Sequence, residues 1–219
     1  MARSYWFEDN LAESREIFIK YSPAARNFPK GYILSAQGTV PKYMFFLLEG
    51  MVKVYTNNYA GYERILAYHR KNTLTVLEDS LFSGAPAVVT IESVTDIRAL
   101  QITPEILKNI MIAHPELSFE ILKYYCKVLC LLSYDAENQS INNATIRMAN
   151  FLYLYMQSQE YKDKGVIYLT QENLASAINA SRVHTSRICA KLKEKGIIST
   201  SRGKITILDK KKLVSLCRL

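Results

Sequence analysis

The sequence predicts an α+β fold in three consecutive parts: an N-terminal antiparallel β-roll of jelly-roll type over 1–114, one long helix over 115–140, and a helical unit closed by a β-hairpin over 141–219. Three observations predict it. Glycines punctuate aromatic and β-branched runs in the first half, an apolar series recurs every three or four residues in the middle, and two short capped helices precede a basic-tipped hairpin at the end.

From Phe28 to about Thr103, "GYILSAQG", "YMFFLLEGMVKVY" and "YERILAYH" read as strands, with Gly31, Gly38, Gly50 and Gly61 breaking them at spacings of seven, twelve and eleven. Glu49-Gly50 and the Asn57, Asn58, Gly61 stretch supply chain reversals. Thr103-Pro104 is an N-cap followed by a first-turn proline, opening the helix "EILKNIMIAH". Pro115 restarts a longer helix to about Ser140, whose series Leu117, Ile121, Tyr124, Val128 and Leu131 is flanked by Leu122, Tyr125, Leu129 and Leu132. That stripe is wider than one contact needs. It suits a helix that packs on its own domain with one side and on a second copy of the chain with the other, Leu117, Ile121, Tyr124, Val128 and Leu131 forming the dimerisation face; a single buried helix in a monomer is the other reading. "SINNAT" is a polar hinge, a helix follows over about Ala144 to Gln157, and "SQEYKDKG" reads as an exposed loop.

Composition excludes several classes. The 49% hydrophobic content fills a core, no uncharged apolar run reaches the length of a membrane span, and the first twenty residues are too charged for a secretory signal, so the expected compartment is the cytoplasm with no membrane partner. Cys126, Cys130, Cys189 and Cys217 contain no C-x-x-C pair, which argues against a disulfide framework or a structural metal site. His69, His114 and His184 are scattered, and neither a Gly-rich phosphate loop nor a nucleophile elbow occurs. No catalytic residues are expected, and the chain does not read as an enzyme.

Charge is divided unevenly. Residues 1–165 carry seventeen Lys and Arg against seventeen Asp and Glu, whereas 166–219 carry eleven against three, so the whole net charge of +8 lies in the last quarter. Such asymmetry is the footprint of a nucleic-acid-binding unit joined to a neutral one. Within it, Thr170 caps a first helix bearing Leu174, Ala175 and Ile178, Asn179 suits a left-handed turn, and Ser181 caps a second helix. At 100° per residue, Arg182, Val183, Ser186, Arg187 and Ala190 fall on one face of that helix and Thr185, Ile188, Cys189 and Leu192 on the other. A helix-turn-helix needs this separation, because its second helix is held by the apolar side while its N-terminal residues reach base edges. "GIISTSRGKITIL" then forms a hairpin around Ser201-Arg202-Gly203, a wing able to lie along phosphates. A surface helix decorated with cations is the plainer alternative.

These segments together resemble the Crp/Fnr superfamily of bacterial transcription regulators over roughly Phe28 to Leu208, most strongly in "GYILSAQG", "YMFFLLEGMVKVY", "GYERIL", "ATIRMANFL" and "LTQENLASAINASRVHTSRICAKLKEKGII". Within it, "NNATIRMANFLYLY" and the valine of the recognition helix most resemble the halorespiration regulators that sense halogenated aromatics. The resemblance implies a homodimer that binds a palindromic operator in double-stranded DNA through a winged helix-turn-helix, with RNA polymerase as a partner if it activates. The implied DNA-contacting set is Thr170, Gln171, Ser181, Arg182, Val183, His184, Ser186, Arg187, Lys191, Arg202 and Lys204. Arg182 and Arg187 stand where the cyclic-AMP receptor branch has two DNA-contacting arginines, and Ser186 where the Fnr branch has a contacting serine. Val183 departs from both branches, which place a glutamate there to accept from a cytosine amino group. Valine methyls instead pack on a thymine methyl, so A·T is expected at that position.

In the sensor the cyclic-nucleotide branch clamps phosphate with an Arg-Ser pair, but here Val88 and Val89 occupy those positions, and only Glu78 survives at the ribose position. Loss of the charge-assisted contact argues against cyclic AMP. An Fnr-type iron–sulfur cluster needs cysteines near the N-terminus, and the first is Cys126. Haem has only the lone His69 to hold it and is disfavoured. What remains is an apolar effector pocket lined by Glu78, Val88, Val89, Tyr125 and Leu129, suited to a small organic ligand. The alternative is an effector-independent or nonspecific nucleic-acid-binding protein, RNA- or membrane-associated in one version, with a purely structural roll.

Overall fold

The computed structural model describes residues 4–57, 62–75 and 80–218. The chain forms two compact units, one of residues 6–129 and one of residues 130–219 with the N-terminal Met1–Tyr5.

The first unit contains β1 (Trp6–Phe7), α1 (Arg15–Tyr21), β2 (Arg26–Phe28), β3 (Ile33–Ser35), β4 (Met44–Glu49), β5 (Met51–Asn57), β6 (Glu63–Arg70), β7 (Leu74–Thr75), α2 (Ser80–Ser83), β8 (Thr90–Ser93), β9 (Ile97–Ile102), α3 (Pro104–Ala113) and the start of α4 (Pro115–Ile141). A five-stranded sheet in the order β1-β6-β5-β8-β3 faces a four-stranded sheet in the order β2-β9-β4-β7. The pairings are antiparallel except for the short β1–β6 ladder, which is parallel and which the glycine-marked strand pattern does not announce. Alternation places Phe45 and Leu47 of β4, Val52 and Val54 of β5, and Ile91 of β8 in one core with Ile97 and Ala99 of β9. Between the two inward valines Lys53 turns to the other face, where its Nζ lies 2.9 Å from Glu63 and 3.1 Å from Glu92. The β4–β5 reversal turns on Gly50 at φ +84°, where an added Cβ would run into the Asp96 carbonyl oxygen. Asn58 and Gly61, expected in the next reversal, lie outside the described residues.

Thr103 caps α3 by accepting from the Ile106 amide at 3.1 Å, with Pro104 in the first turn. Among the described residues no helix is long and apolar enough to cross a membrane. The helix expected from Pro115 to about Ser140 runs one residue further, to Ile141.

The second unit continues with α5 (Ala144–Met156), α6 (Gln159–Lys164), β10 (Ile167–Tyr168), α7 (Gln171–Ala177), α8 (Arg182–Glu194), β11 (Ile198–Ser201), β12 (Lys204–Ile207) and α9 (Lys210–Leu216). The "SINNAT" stretch reduces to Asn142 and Asn143 between helices, and Asn143 caps α5 by accepting from the Thr145 and Ile146 amides at 3.0 and 3.1 Å. The stretch read as an exposed loop is helical instead. Ser158 caps α6, Gly165 ends it at φ +66°, and Gln159–Asp163 and Glu160–Lys164 pair one turn apart, so local contacts sustain a helix with no apolar face.

Candidate nucleic-acid interface

The two helices α7 and α8 are each started by a side chain. Thr170 Oγ1 accepts from Asn173 N at 3.1 Å, and Ser181 Oγ from His184 N at 3.2 Å. The joint between them turns on Asn179 at φ +51°, and Ala180 N reaches back to the Ala175 carbonyl at 3.0 Å. Ala175 is buried at this crossing, where a larger side chain would wedge the helices apart. Arg147 of α5 is a contributor that the residue pattern did not single out: its guanidinium donates to the carbonyls of Ile178 (2.8 Å), Asn179 (3.0 Å) and Asn142 (2.7 Å), placing a cation at the C-terminal end of α7. One arginine thereby ties the helix joint to the residues between α4 and α5.

On α8 the two faces are separated by burial. Thr185, Ile188, Cys189 and Leu192 are buried, and the Cys189 thiol is pushed up by that burial. Ser181, Arg182, His184, Ser186, Arg187 and Lys191 are exposed, and Val183 is 63% exposed although apolar. The wing is a three-stranded sheet in the order β10-β12-β11, with Arg202 and Gly203 at its two-residue tip. Lys204 lies 5.5 Å from the centre of the Tyr168 ring. Gln171 of α7, Arg202 and Lys204 line one cleft of about 260 Å³ between the helix pair and the wing, with Cys189 also in its wall. The wing cations and the start of α7 thus line one cleft.

The long helix corrects the sequence expectation. Leu117, Ile121, Tyr124 and Leu131, expected at a dimer face, are 5% exposed or less in the single chain, and Val128 is half-buried. That side is already covered within the single chain. The outward side carries Phe119 (63% exposed), Leu122 (57%), Cys126 and Leu129 (64%), followed by Ser133, Ala136 and Ser140, all exposed and spaced alternately by three and four. Both stripes have helical periodicity, and only the tertiary fold decides which is used internally.

The expected effector lining is likewise redistributed. Val89 packs into the roll core, whereas Val88 is 67% exposed and Leu129 stands in solvent. Tyr125 is half-buried with its ring edge-on to Tyr124 at 5.1 Å, and Glu78 lies outside the described residues. His69 is buried and engaged by Tyr124 at 2.6 Å. Cys126 and Cys130 are exposed on α4, and among the described residues no group of three His, Cys, Asp or Glu is placed to hold a metal ion.

Two family models match the chain: a cyclic nucleotide-binding domain over residues 25–114 and a Crp-like helix-turn-helix domain over 146–216. The chain belongs to the Crp/Fnr family of transcription regulators. It is 23% identical over 203 residues to a CRP-like cAMP-activated global transcriptional regulator of Mycobacterium tuberculosis, covering 88% of this chain and 87% of that one. It is 25% identical over 198 residues to the global nitrogen regulator of a Nostoc species, covering 85% and 86%. Among solved structures, the c-di-GMP responsive global regulator CLP of Xanthomonas campestris superposes with a TM-score of 0.81 at 18% identity, over 91% of this chain and all of that one. OCPA-complexed CprK superposes with a TM-score of 0.72 at 19% identity, over 97% of this chain and 99% of that one. At such identities the superpositions show a shared fold. As a Crp/Fnr regulator the chain carries an effector-type domain and a DNA-binding helix-turn-helix.

Proposed function

We propose that this Crp/Fnr regulator acts as a homodimer on an inverted-repeat operator, with α8 reading bases and the wing lying on phosphates. The separation of α8 into a buried side and an exposed side headed by Arg182, Val183, Ser186 and Arg187 carries this reading. Thr170, Gln171, Ser181, His184, Lys191, Arg202 and Lys204 supply the surrounding backbone contacts. The exposed repeat Phe119, Leu122, Cys126, Leu129 supports the dimer, because an apolar 3–4 series left in solvent is the seam of a two-stranded coiled coil. Two copies present two recognition helices, which must stand about 34 Å apart to enter successive major grooves.

The effector is a small organic molecule rather than cyclic AMP. The activator named among the relatives is cAMP-activated, whereas here Val88 and Val89 offer no side-chain donor or charge to a phosphate. A ligand that alters the long-helix pairing would change the spacing of the recognition helices and so the affinity for DNA.

Selection of binding sites from a random duplex library tests the reading. The expected product is an inverted repeat with A·T at the position governed by Val183. A product without two-fold symmetry, or one with G·C at that position, overturns it. Sedimentation of a Leu122→Asp, Leu129→Asp double variant is expected to give a monomer.

A further inference from the structure

Tyr5 and Trp6 are joined by one peptide bond yet belong to different units, Tyr5 to the unit of residues 130–219 and Trp6 to the roll. Each is fastened where it stands. On the roll side Trp6 and Phe7 form β1, in register with Tyr68 and His69 of β6. The Trp6 ring stacks on Tyr68 at 5.3 Å and the Phe7 ring on His69 at 5.1 Å. The Asp9 and Leu11 amides then donate to the Lys71 and Asn72 carbonyls, each at 3.0 Å.

On the other side Tyr5 is fully buried, its hydroxyl donates to Oδ1 of Asp135 on α4 at 2.8 Å, and its ring lies 5.3 Å from that of Phe151 on α5. Asp135 is buried too, and Gln139 Nε2 donates to the same Oδ1 at 3.3 Å. About one turn further along α4, Asn138 Oδ1 accepts from Asn142 Nδ2 at 2.8 Å and from Asn150 Nδ2 of α5 at 2.9 Å. Asn142 in turn gives its carbonyl to Arg147, the residue that also holds the Ile178 and Asn179 carbonyls at the α7–α8 turn. Tyr5 is thus built into the joint from which the helix-turn-helix is hung.

We infer that Tyr5 is a positioning residue for operator binding: the N-terminal segment is a strap through which β1 of the roll fixes the α4–α5 joint. This rests on the operator-reading role of α8 in a dimer. Consecutive Cα atoms are about 3.8 Å apart, so the strap has little slack between its two fastenings. A joint held in one arrangement lowers the ordering cost of presenting two recognition helices at the spacing that successive grooves demand. Nonspecific contact with phosphates needs no fixed spacing and gains nothing from the strap. By linkage, an operator that favours the docked strap must stabilise β1 by the same factor. A Tyr5 that merely fills the core of its own unit would need its pocket but not its bond to Trp6.

The test cuts that bond's mechanical effect in the full chain. Insertion of Gly-Ser-Gly-Ser between Tyr5 and Trp6 leaves both sets of contacts available and removes the tie. Trp6, the single tryptophan, reports on β1 through acrylamide quenching. On the inverted repeat that wild-type protein itself selects, the insertion variant is expected to bind about 5-fold more weakly or worse, and to bind scrambled duplex as wild type does. The operator should reduce quenching of Trp6 in wild type and not in the insertion variant. Tyr5→Phe, which keeps the ring and removes the hydroxyl, and Asp135→Leu should lose this protection, whereas Asp135→Asn still offers an acceptor and should keep it. The inference is overturned by an insertion variant that binds the operator as wild type does, by equal losses on selected and scrambled duplexes, or by protection of Trp6 that survives the insertion. If the insertion prevents folding, the point variants decide alone, and protection retained by Tyr5→Phe overturns the inference. Because recovery of the inverted repeat is scored first, failure of the operator reading is distinguishable from failure of the strap.

Discussion

The hydroxyl of Tyr124 on the long helix lies 2.6 Å from Nδ1 of His69 on β6 and donates to the Leu74 carbonyl at 3.1 Å, so one buried phenol joins α4 to two strands of the roll. With the hydroxyl hydrogen directed to Leu74, His69 carries its proton on Nδ1 and donates to Tyr124 as a neutral ring. The ring of Phe7 stacks on His69 at 5.1 Å and closes the site against water. Burial lowers the His69 pKa from 6.5 to about 4 and raises that of Tyr124.

The sign of the pH effect follows from proton counting. Between about pH 6.5 and pH 4 the unfolded chain binds a proton on His69 that the folded roll does not, so stability falls as pH drops through that window. At pH 4.5 the loss relative to pH 7 is about 2–3 kcal/mol from this residue. Denaturant unfolding followed by Trp6, the single tryptophan, stacked on Tyr68 at 5.3 Å, reads the roll directly. A His69→Gln variant is expected to lose this part of the pH dependence. An unchanged pH profile in the variant would show that His69 does not carry it.

Gly50 and Gly38 share a left-handed backbone, φ +84° and +83°, but differ in what surrounds them. A Cβ at Gly38 meets nothing within 4 Å, whereas one at Gly50 meets the Asp96 carbonyl and the Ile97 side chain. Gly38→Ala should cost roughly 1 kcal/mol for its backbone, and Gly50→Ala should cost at least about 2 kcal/mol more. Equal shifts in the unfolding midpoint by Trp6 fluorescence would argue that the Asp96 segment gives way freely.

The sequence makes local chemistry legible and long-range choice obscure. Thr103, Thr170 and Ser181 can be read as caps because each bonds to an amide three residues on, and Asn179 is a turn residue by its own conformational tolerance. The faces of α8 separate correctly because its non-core side is almost wholly polar. On α4 the same periodicity misleads: two apolar stripes run side by side, and the roll, not the repeat, decides that Leu117 and Tyr124 are buried while Phe119 and Leu122 stay in solvent. Arg147 and His69 find partners 31 and 55 residues away, and no pattern in the chain announces such pairs. The acid and lysines of α9 follow its helix-capping logic, Asp209 to Lys212, and that signal was present in the sequence.

Thr185 is fully buried in α8, and among the described residues its Oγ1 has no hydrogen-bond partner. A helical threonine often returns its hydroxyl to the carbonyl four residues back, but the Ser181 carbonyl here accepts from the Thr185 amide alone. An unsatisfied buried hydroxyl costs about 1–3 kcal/mol, and valine has nearly the same shape. Thr185→Val is therefore expected to stabilise the helix pair by about 1 kcal/mol or more. Slower amide hydrogen exchange through α7 and α8 is the readout, and faster exchange would mean that the hydroxyl is satisfied in solution.

Arg187 and Lys204 are both exposed cations of the candidate DNA surface, yet they should fail differently when truncated. Arg187 lies on the α8 face that holds Val183 and Ser186, where a guanidinium can bond two acceptors on one guanine edge. Arg187→Ala should cost about 1–3 kcal/mol on the selected operator and relax base preference at one position of each half-site. Lys204 sits against the Tyr168 ring beside the wing tip, where the proposed reading puts phosphate and not base edges. Lys204→Ala should weaken all duplexes to a similar extent and reduce the salt slope by about one for each copy of the chain bound. Titration of both variants against selected and scrambled duplexes across a salt series separates the two behaviours, and equal sequence-independent losses would mean that α8 rests on the backbone instead of reading the groove.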